Sequence, residues 1–413
     1  MREMLKFLKE LRGNAKIMVL VQPLWGIPFN LFMPFATLYM YHLGVVDIQI
    51  GIILAVGRFM QMVMAFLGGV ITDKLGRRFT FCAGDIIAWG IPLLIWAFAQ
   101  DFRWFLIATI FNSVSMLTGV AGDCLFADEI GDDAPKLTQV YNWLQICGVL
   151  AIFFVPIAGF LVGRYNLVPV VRGLYIFAFI CRAIRAILTY AFSVETQQGL
   201  ERMRETKNIP LLRLFTGYQQ VLRQIFRSGA MLRALVLHTL LNIVIMVSTT
   251  FFALYVTQNL GISESFLAYF PILRGVVMLV FLFFIQNRLS TFKPHYVMLC
   301  GIIAFLMANG VLLLTPYNNW LLVAGYTLIE SCAAALLMPR LGALIQNAIE
   351  PRERARILGL FNVTILAIVI PFAYLAGFLS EINRRLPFVL NVSLFVVMFF
   401  FALSDARKKV VEV

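Results

Sequence analysis

The chain has 413 residues, of which 61% are hydrophobic and 13% charged, with a formal net charge of +13. Water-soluble domains run nearer ~45–50% apolar and ~25% charged, so this composition excludes an ordinary soluble enzyme and calls for lipid as the main solvent. The basic excess falls in short links between apolar runs, where it sets orientation in a membrane, and nucleic acid is not expected as a partner.

In chain order, residues 1–16 are charged throughout, with Met4, Leu5, Leu8 and Leu11 set against Arg2, Lys6, Lys9 and Arg12. No cleaved signal peptide is expected there, because the apolar run that follows is long enough to span. Apolar runs then predict spans over 17–42, 49–71, 78–99, 103–127, 136–163 and 168–194. A second set follows over 231–257, 264–286, 294–315, 319–345, 355–379 and 386–404. Each run suits a spanning helix of ~20 residues and is far longer than a barrel strand of ~9–11.

Between the two sets lies the one long connection, 195–230, which carries Arg202, Arg204, Lys207, Arg213, Arg223 and Arg227. Opposite these, Leu211, Leu214, Phe215, Tyr218, Leu222, Ile225 and Phe226 recur at helical spacing. That pattern fits a helix lying on an anionic leaflet or one docked on the helix bundle. An even number of spans puts both termini on one side. Only Arg103, Arg164, Arg172, Arg384 and Arg385 fall in the links of the opposite side. The positive-inside bias therefore predicts cytoplasmic termini and a multi-pass protein of the plasma (inner) membrane.

The six cysteines (Cys82, Cys124, Cys147, Cys181, Cys300 and Cys332) all lie in apolar runs with no CxxC pair, and they read as packing residues. His42, His238 and His295 are scattered on separate segments. No metal site, cofactor or catalytic cluster is expected, and no G-x-x-x-x-G-K-[ST] loop is present to bind a nucleotide.

After the second span comes Gly69-Val-Ile-Thr-Asp73-Lys-Leu-Gly76-Arg77-Arg78, preceded by Leu43-Gly44 and Gln49-Ile50-Gly51. This resembles the signature G-x-L-A-D-R-x-G-R-R that the major facilitator superfamily carries in the same loop. The resemblance implies an all-α integral membrane fold of twelve transmembrane helices in two pseudo-symmetric six-helix lobes. It divides the chain into a lobe over 1–194, a cytoplasmic interlobe linker over 195–230 and a lobe over 231–413. In the motif, glycines permit tight turning and close helix approach, and the forked donors of Arg77 and Arg78 suit carboxylates. Asp128 or Glu129, at the inner end of span four in Ala127-Asp128-Glu129-Ile130, is the expected partner. The resulting latch, Gly69, Asp73, Gly76, Arg77, Arg78, Asp128 and Glu129, would close the cytoplasmic side and break during the cycle, or stay as a static loop pair. The second-half counterpart, Asn287-Arg288-Leu289-Ser290-Thr291, lacks the aspartate and the glycine. The loop Glu350-Pro-Arg-Glu-Arg-Ala-Arg356 and Leu358 to Asn362 parallel Asp132 to Asn142. In the drug and proton antiporter branch the fifth span carries G-P-x-x-G-G; here Val155-Pro156-Ile-Ala-Gly159-Phe160 keeps the proline and one glycine.

A charge at the bilayer centre costs at least ~2.5–3.5 kcal/mol, so each needs a partner or a watery cavity. At ~1.5 Å rise per residue, Arg274 in span eight and Glu330 in span ten lie at about the same depth, 15–16 Å from the outer face. The pair is expected to be a binding or coupling site, or else a buried structural ion pair. Arg58 in span two lies about 13 Å deep by the same rise. Arg58 and Arg274 together would favour a substrate bearing carboxylate or phosphate. Asp123, one turn inside the cytoplasmic end of span four, is a candidate proton carrier beside Glu330, or a helix-end residue wetted from inside. Asp85 with Arg182 or Arg185 reads as a structural ion pair, Arg340 as a snorkelling side chain, and His238 as a hydrogen-bonded core residue. Trp25, Tyr39, Asn112, Gln145 and Asn242 are neutral candidates for a cavity lining.

The expected function is secondary active transport of a small solute by alternating access, coupled to an ion, most simply a proton, with an anionic organic substrate as one option. The rivals are multidrug efflux by proton exchange, a lipid-linked substrate, a membrane sensor and a lipid-acting protein. Solute, coupling ion and membrane lipid are the expected partners.

Overall fold

A computed structural model describes residues 11–131, 133–207, 223, 226–289, 292–348 and 354–411. The amphipathic stripe expected over 211–226 falls, but for Phe226, outside the described residues, as do residues 1–10 and the loops at 290–291 and 349–353.

Among the described residues the chain is helical and contains no strand. Eleven helices among the described residues are long and apolar enough to cross a membrane, the first being Gly13–His42 and the last Leu386–Leu403. The expected eighth span is the helical stretch Phe270–Val280, Phe281–Ile285 and Gln286–Leu289. Helix is dictated by the solvent: no water in the hydrocarbon can satisfy a backbone N–H or C=O, so each segment must satisfy its own.

Several spans are not uniform. Span one bends through Pro23–Phe32, a 3₁₀ turn Met33–Phe35 and Ala36–His42. Span four breaks between Phe102–Asn112 and Ser115–Ile130. Spans three, seven and eight contain π-helical turns at Ile86–Gly90, Tyr255–Asn259 and Phe281–Ile285. Such turns insert a residue, loosen the regular ladder and concentrate at functional positions.

The chain forms two compact units. The first comprises residues 1–33, 56–158 and 165–219. Its inner core packs Leu11, Ala15, Met18 and Val19 against Phe81, Cys82, Ala121, Leu125, Phe126 and Val140. Gly122 makes this possible, since a Cβ there would lie 2.8 Å from the Phe81 ring.

The second unit comprises residues 34–55, 159–164 and 220–413, so the segment that joins spans one and two packs with the second half of the sequence. Here the helix starting at Asp47 meets the end of span eleven. A Cβ on Gly51 would lie 2.8 Å from the Gly377 Cα, and a Cβ on Gly377 would lie 2.6 Å from the Gly51 Cα, so two backbones touch directly. Asp47, buried at 2% exposure, closes the seam. Its carboxylate accepts from Ser380 Oγ at 2.6 Å and from Arg384 Nε at 3.0 Å and Nη2 at 3.3 Å. Burial alone would lower the Arg384 pKa, but the Asp47 hydrogen bond and charge and the Tyr41 hydroxyl outweigh it and hold the guanidinium above its ordinary value. Glu381 also accepts from the Ile48 N–H at 3.2 Å.

Candidate functional site: intramembrane charge networks

In the second unit, spans seven, eight, ten and twelve converge on one polar chain. Glu330 of span ten forms a salt bridge with Arg274 of span eight. Tyr326 lies one turn before Glu330 on the same helix face and bonds to both Glu330 and Ser248 of span seven. Ser248 Oγ accepts from Asn391 Nδ2 of span twelve at 3.1 Å. The Tyr326 ring is held by Phe252, stacked at 5.5 Å and 26°.

The two charged members differ in access. The Glu330 side chain is 10% exposed and the Arg274 side chain 44% exposed, so the acid is fixed in the unit while the base is open at its surface. An anion that paired with Arg274 would take that charge from Glu330. Such an anion would leave a buried carboxylate without its counter-charge, which costs about 3–5 kcal/mol unless it takes a proton.

The first unit holds three further groups. Arg58 is half-buried and donates from Nη1 to Gln61 Oε1 at 3.1 Å. Asp123 is exposed and has no hydrogen bond or ion pair among the described residues, with Tyr141 near it. Asp85 pairs with both arginines, Arg182 at 3.3 Å and Arg185 at 3.4 Å.

At the motif loop, Arg77 donates from Nε to Asp128 at 2.9 Å and from Nη1 to Asp73 at 3.2 Å. Glu129 takes no part in this pairing; it accepts from the Asn14 backbone N–H at 2.6 Å. Arg78 reaches the Tyr190 carbonyl and lies over the Tyr190 ring at 4.3 Å. Gly69 departs from the close-approach expectation: open space surrounds the position its Cβ would occupy. Gly76 does the work instead, at φ +85°, beginning the helix Arg77–Asp85.

Sequence reasoning missed Glu195, which opens the linker. Its carboxylate accepts from the N–H groups of Arg77 and Arg78, each at 3.0 Å, and so caps that helix. Thr196 donates to Asp128 at 3.1 Å and Thr206 to the Asp73 carbonyl at 3.2 Å, so the linker helix Gln197–Thr206 is fastened to the motif loop. Gly76→Ala is expected to lower the thermal midpoint in detergent sharply. Its Cβ would lie 2.5 Å from Glu195 Oε2, and strain at this φ/ψ plus loss of the cap is worth about 2–4 kcal/mol. An unchanged midpoint would show the turn to be dispensable.

The neutral candidates have mostly local partners. Asn112 donates to the Ala88 carbonyl at 2.9 Å, and Asn242 to the His238 carbonyl of its own helix at 2.9 Å. Gln145 is exposed and Tyr39 is fully buried. Trp25 stacks on the Arg182 guanidinium, 3.6 Å from ring centroid to Cζ. His238 bonds to the Leu341 backbone and Arg340 is half-buried. A separate cavity of about 380 Å³ is lined by Gly163, Gln258, Ser263, Glu264 and Ser265, with His42 Nε2 2.6 Å from Glu264. It shares no residue with the Arg274 network.

Comparison with known proteins adds three findings. The profile of the family described as Major Facilitator Superfamily matches residues 20–294 and 239–412. The quinolone resistance protein NorA of Staphylococcus aureus (strain MRSA252) is 22% identical over 42% of this chain and 44% of its own length. NorA of strain Mu50 is 26% identical over 24% and 26%. The chain thus matches under half the length of these curated relatives. Among solved structures, the nucleoside transporter NupG superposes with a TM-score of 0.73 at 15% identity, covering 95% of this chain and 99% of that one. A POT family transporter in complex with 5-aminolevulinic acid superposes with 0.73 at 12% identity, covering 95% of each.

Proposed function

We propose that this chain, which belongs to the Major Facilitator Superfamily, is a secondary transporter that takes up a small organic anion together with a proton at the Arg274–Glu330 pair. It is a non-enzymatic, multi-pass membrane transporter, and alternating access is characteristic of its family. The observation that carries the proposal is the unequal burial of the pair, Glu330 enclosed and Arg274 open. The solute's carboxylate or phosphate takes the Arg274 fork. Glu330, released, takes a proton rather than remain a lone buried charge. Anion and proton thus load together, and symport follows from electroneutrality. The basic inner links support cytoplasmic termini in a plasma membrane, with residues 195–230 as the linker between lobes 1–194 and 231–413.

The test is thermal stabilisation of purified protein by small carboxylates, phosphorylated metabolites, neutral sugars and lipophilic cations at pH 5.5 and 7.5. Anions should raise the midpoint, more so at pH 5.5, and not in Arg274→Ala. Stabilisation by lipophilic cations alone would replace this reading with drug efflux by proton exchange. That second reading is favoured by the NorA similarity and by Asp123, an exposed carboxylate without a partner among the described residues.

A further inference from the structure

Within the first unit, spans one, three and six bury a charge set that does not balance. Asp85, Arg182 and Arg185 are exposed by only 3%, 4% and 6%. Among the described residues their ion pairs involve no other acid, so two guanidinium groups share one carboxylate and a positive charge is left over. The contacts to that carboxylate are long, 3.3–3.5 Å. Three buried donors find no hydrogen-bond partner: Arg182 Nε, Arg182 Nη1 and Arg185 Nε. Each is a charged N–H in a low-dielectric setting, where an unmet donor and a net charge are both costly.

The surroundings relieve only part of this. Arg182 lies over the Trp25 ring at 3.6 Å, with the adjoining Trp89 ring at 5.3 Å, and Arg185 lies over Phe81 at 5.3 Å. A ring face offers electrostatic attraction to the cation but leaves in-plane N–H groups free. The local backbone is also specialised: the π-helical turn Ile86–Gly90 begins directly after Asp85 and carries Trp89, and Asn112 takes up the Ala88 carbonyl within it. A π-turn beside an uncompensated buried charge is a second sign, independent of the charge count, that the position is built for something other than packing.

We propose that Arg182 and Arg185 together hold a compact monovalent anion, a halide or the carboxylate of a small acid, beside the Trp25 ring. The anion neutralises the excess charge and accepts from the guanidinium donors that Asp85 does not reach. The proposal does not rest on the Arg274–Glu330 reading, since it concerns a different unit and different spans.

The experiment uses the purified full chain in detergent with gluconate as the only anion, titrated at constant ionic strength with chloride and, separately, with acetate. Readouts are the thermal midpoint and the fluorescence of the indoles stacked on Arg182. Chloride is expected to give a saturable response in both readouts, at least tenfold weaker in Arg182→Gln and retained in Arg103→Gln on an outer link. A saturable response to acetate but not chloride also supports the site and identifies its ligand as a carboxylate. No saturable response to either anion, or an equal response in Arg182→Gln, overturns it. If Arg182→Gln does not fold, Asp85→Asn decides: removing the competing carboxylate should tighten anion binding at least fivefold, and unchanged or weaker binding overturns the site.

Discussion

Glu330→Gln is expected to abolish solute accumulation driven by a pH gradient while leaving solute exchange across the membrane intact. Glutamine imitates the protonated acid, so Arg274 is permanently free for an anion and the proton no longer has a seat. Accumulation should fall by roughly 100-fold, within the 5–150-fold that a coupling free energy of about 1–3 kcal/mol supplies. Anion-induced stabilisation should become the same at pH 5.5 and 7.5. Arg274→Ala behaves differently, losing both exchange and accumulation, because the fork itself is gone. It should also be less stable than the wild type, toward the lower end of about 3–5 kcal/mol for breaking a buried pair, since Arg274 is itself 44% exposed. Arg274→Lys keeps the charge but not the planar fork and should recover stability more than affinity. Gradient-driven accumulation by Glu330→Gln at the wild-type level would remove Glu330 from the coupling step.

Gly51→Leu should force open the seam between the start of span two and the end of span eleven. Gly51 and Gly377 touch backbone to backbone, and a leucine cannot be accommodated by a rotamer change, because the obstacle is the Gly377 Cα and the Ala373 carbonyl. Overpacking of this kind costs about 1–3 kcal/mol, which shifts a two-state equilibrium by about 5–150-fold. A cysteine placed at Ser380, now buried beside Asp47, should then react with a membrane-impermeant maleimide at least tenfold faster than in a Gly51 background. Equal labelling rates would mean that the seam does not open as a unit.

Much of this architecture is legible in the sequence, because lipid leaves so few options. Long apolar runs can only be helices, and rise per residue alone brings Arg274 level with Glu330 and Asp85 level with Arg182 and Arg185. The motif loop likewise identifies Arg77 and an acid at the end of span four. What escapes is whatever depends on azimuth or on distant chain segments. Trp25 reads as a cavity residue, and nothing in the sequence marks its stacking on Arg182. Asn112 serves a carbonyl in a π-turn, and π-turns have no sequence signature. Tyr326 was within reach, since it stands four residues before Glu330, but its link to Ser248 and Asn391 required three helices to be placed. Glu195 escaped because a single acid at the start of a basic linker looks like solvated charge.

The Asp47–Arg384 contact joins residues 337 positions apart, and this separation constrains how the protein is made. At about 5–20 residues per second, Arg384 leaves the ribosome roughly 17–67 s after Asp47. Through that interval the Asp47 carboxylate and the bare Gly51 backbone have neither Ser380, Gly377 nor Arg384 to cover them. The first half can complete its own core around Phe81 and Phe126 as soon as span five is inserted, but the elbow between spans one and two stays unfinished until span eleven arrives. A nascent chain stalled before residue 377 therefore leaves uncovered the Asp47 carboxylate and the glycine face that the finished protein buries.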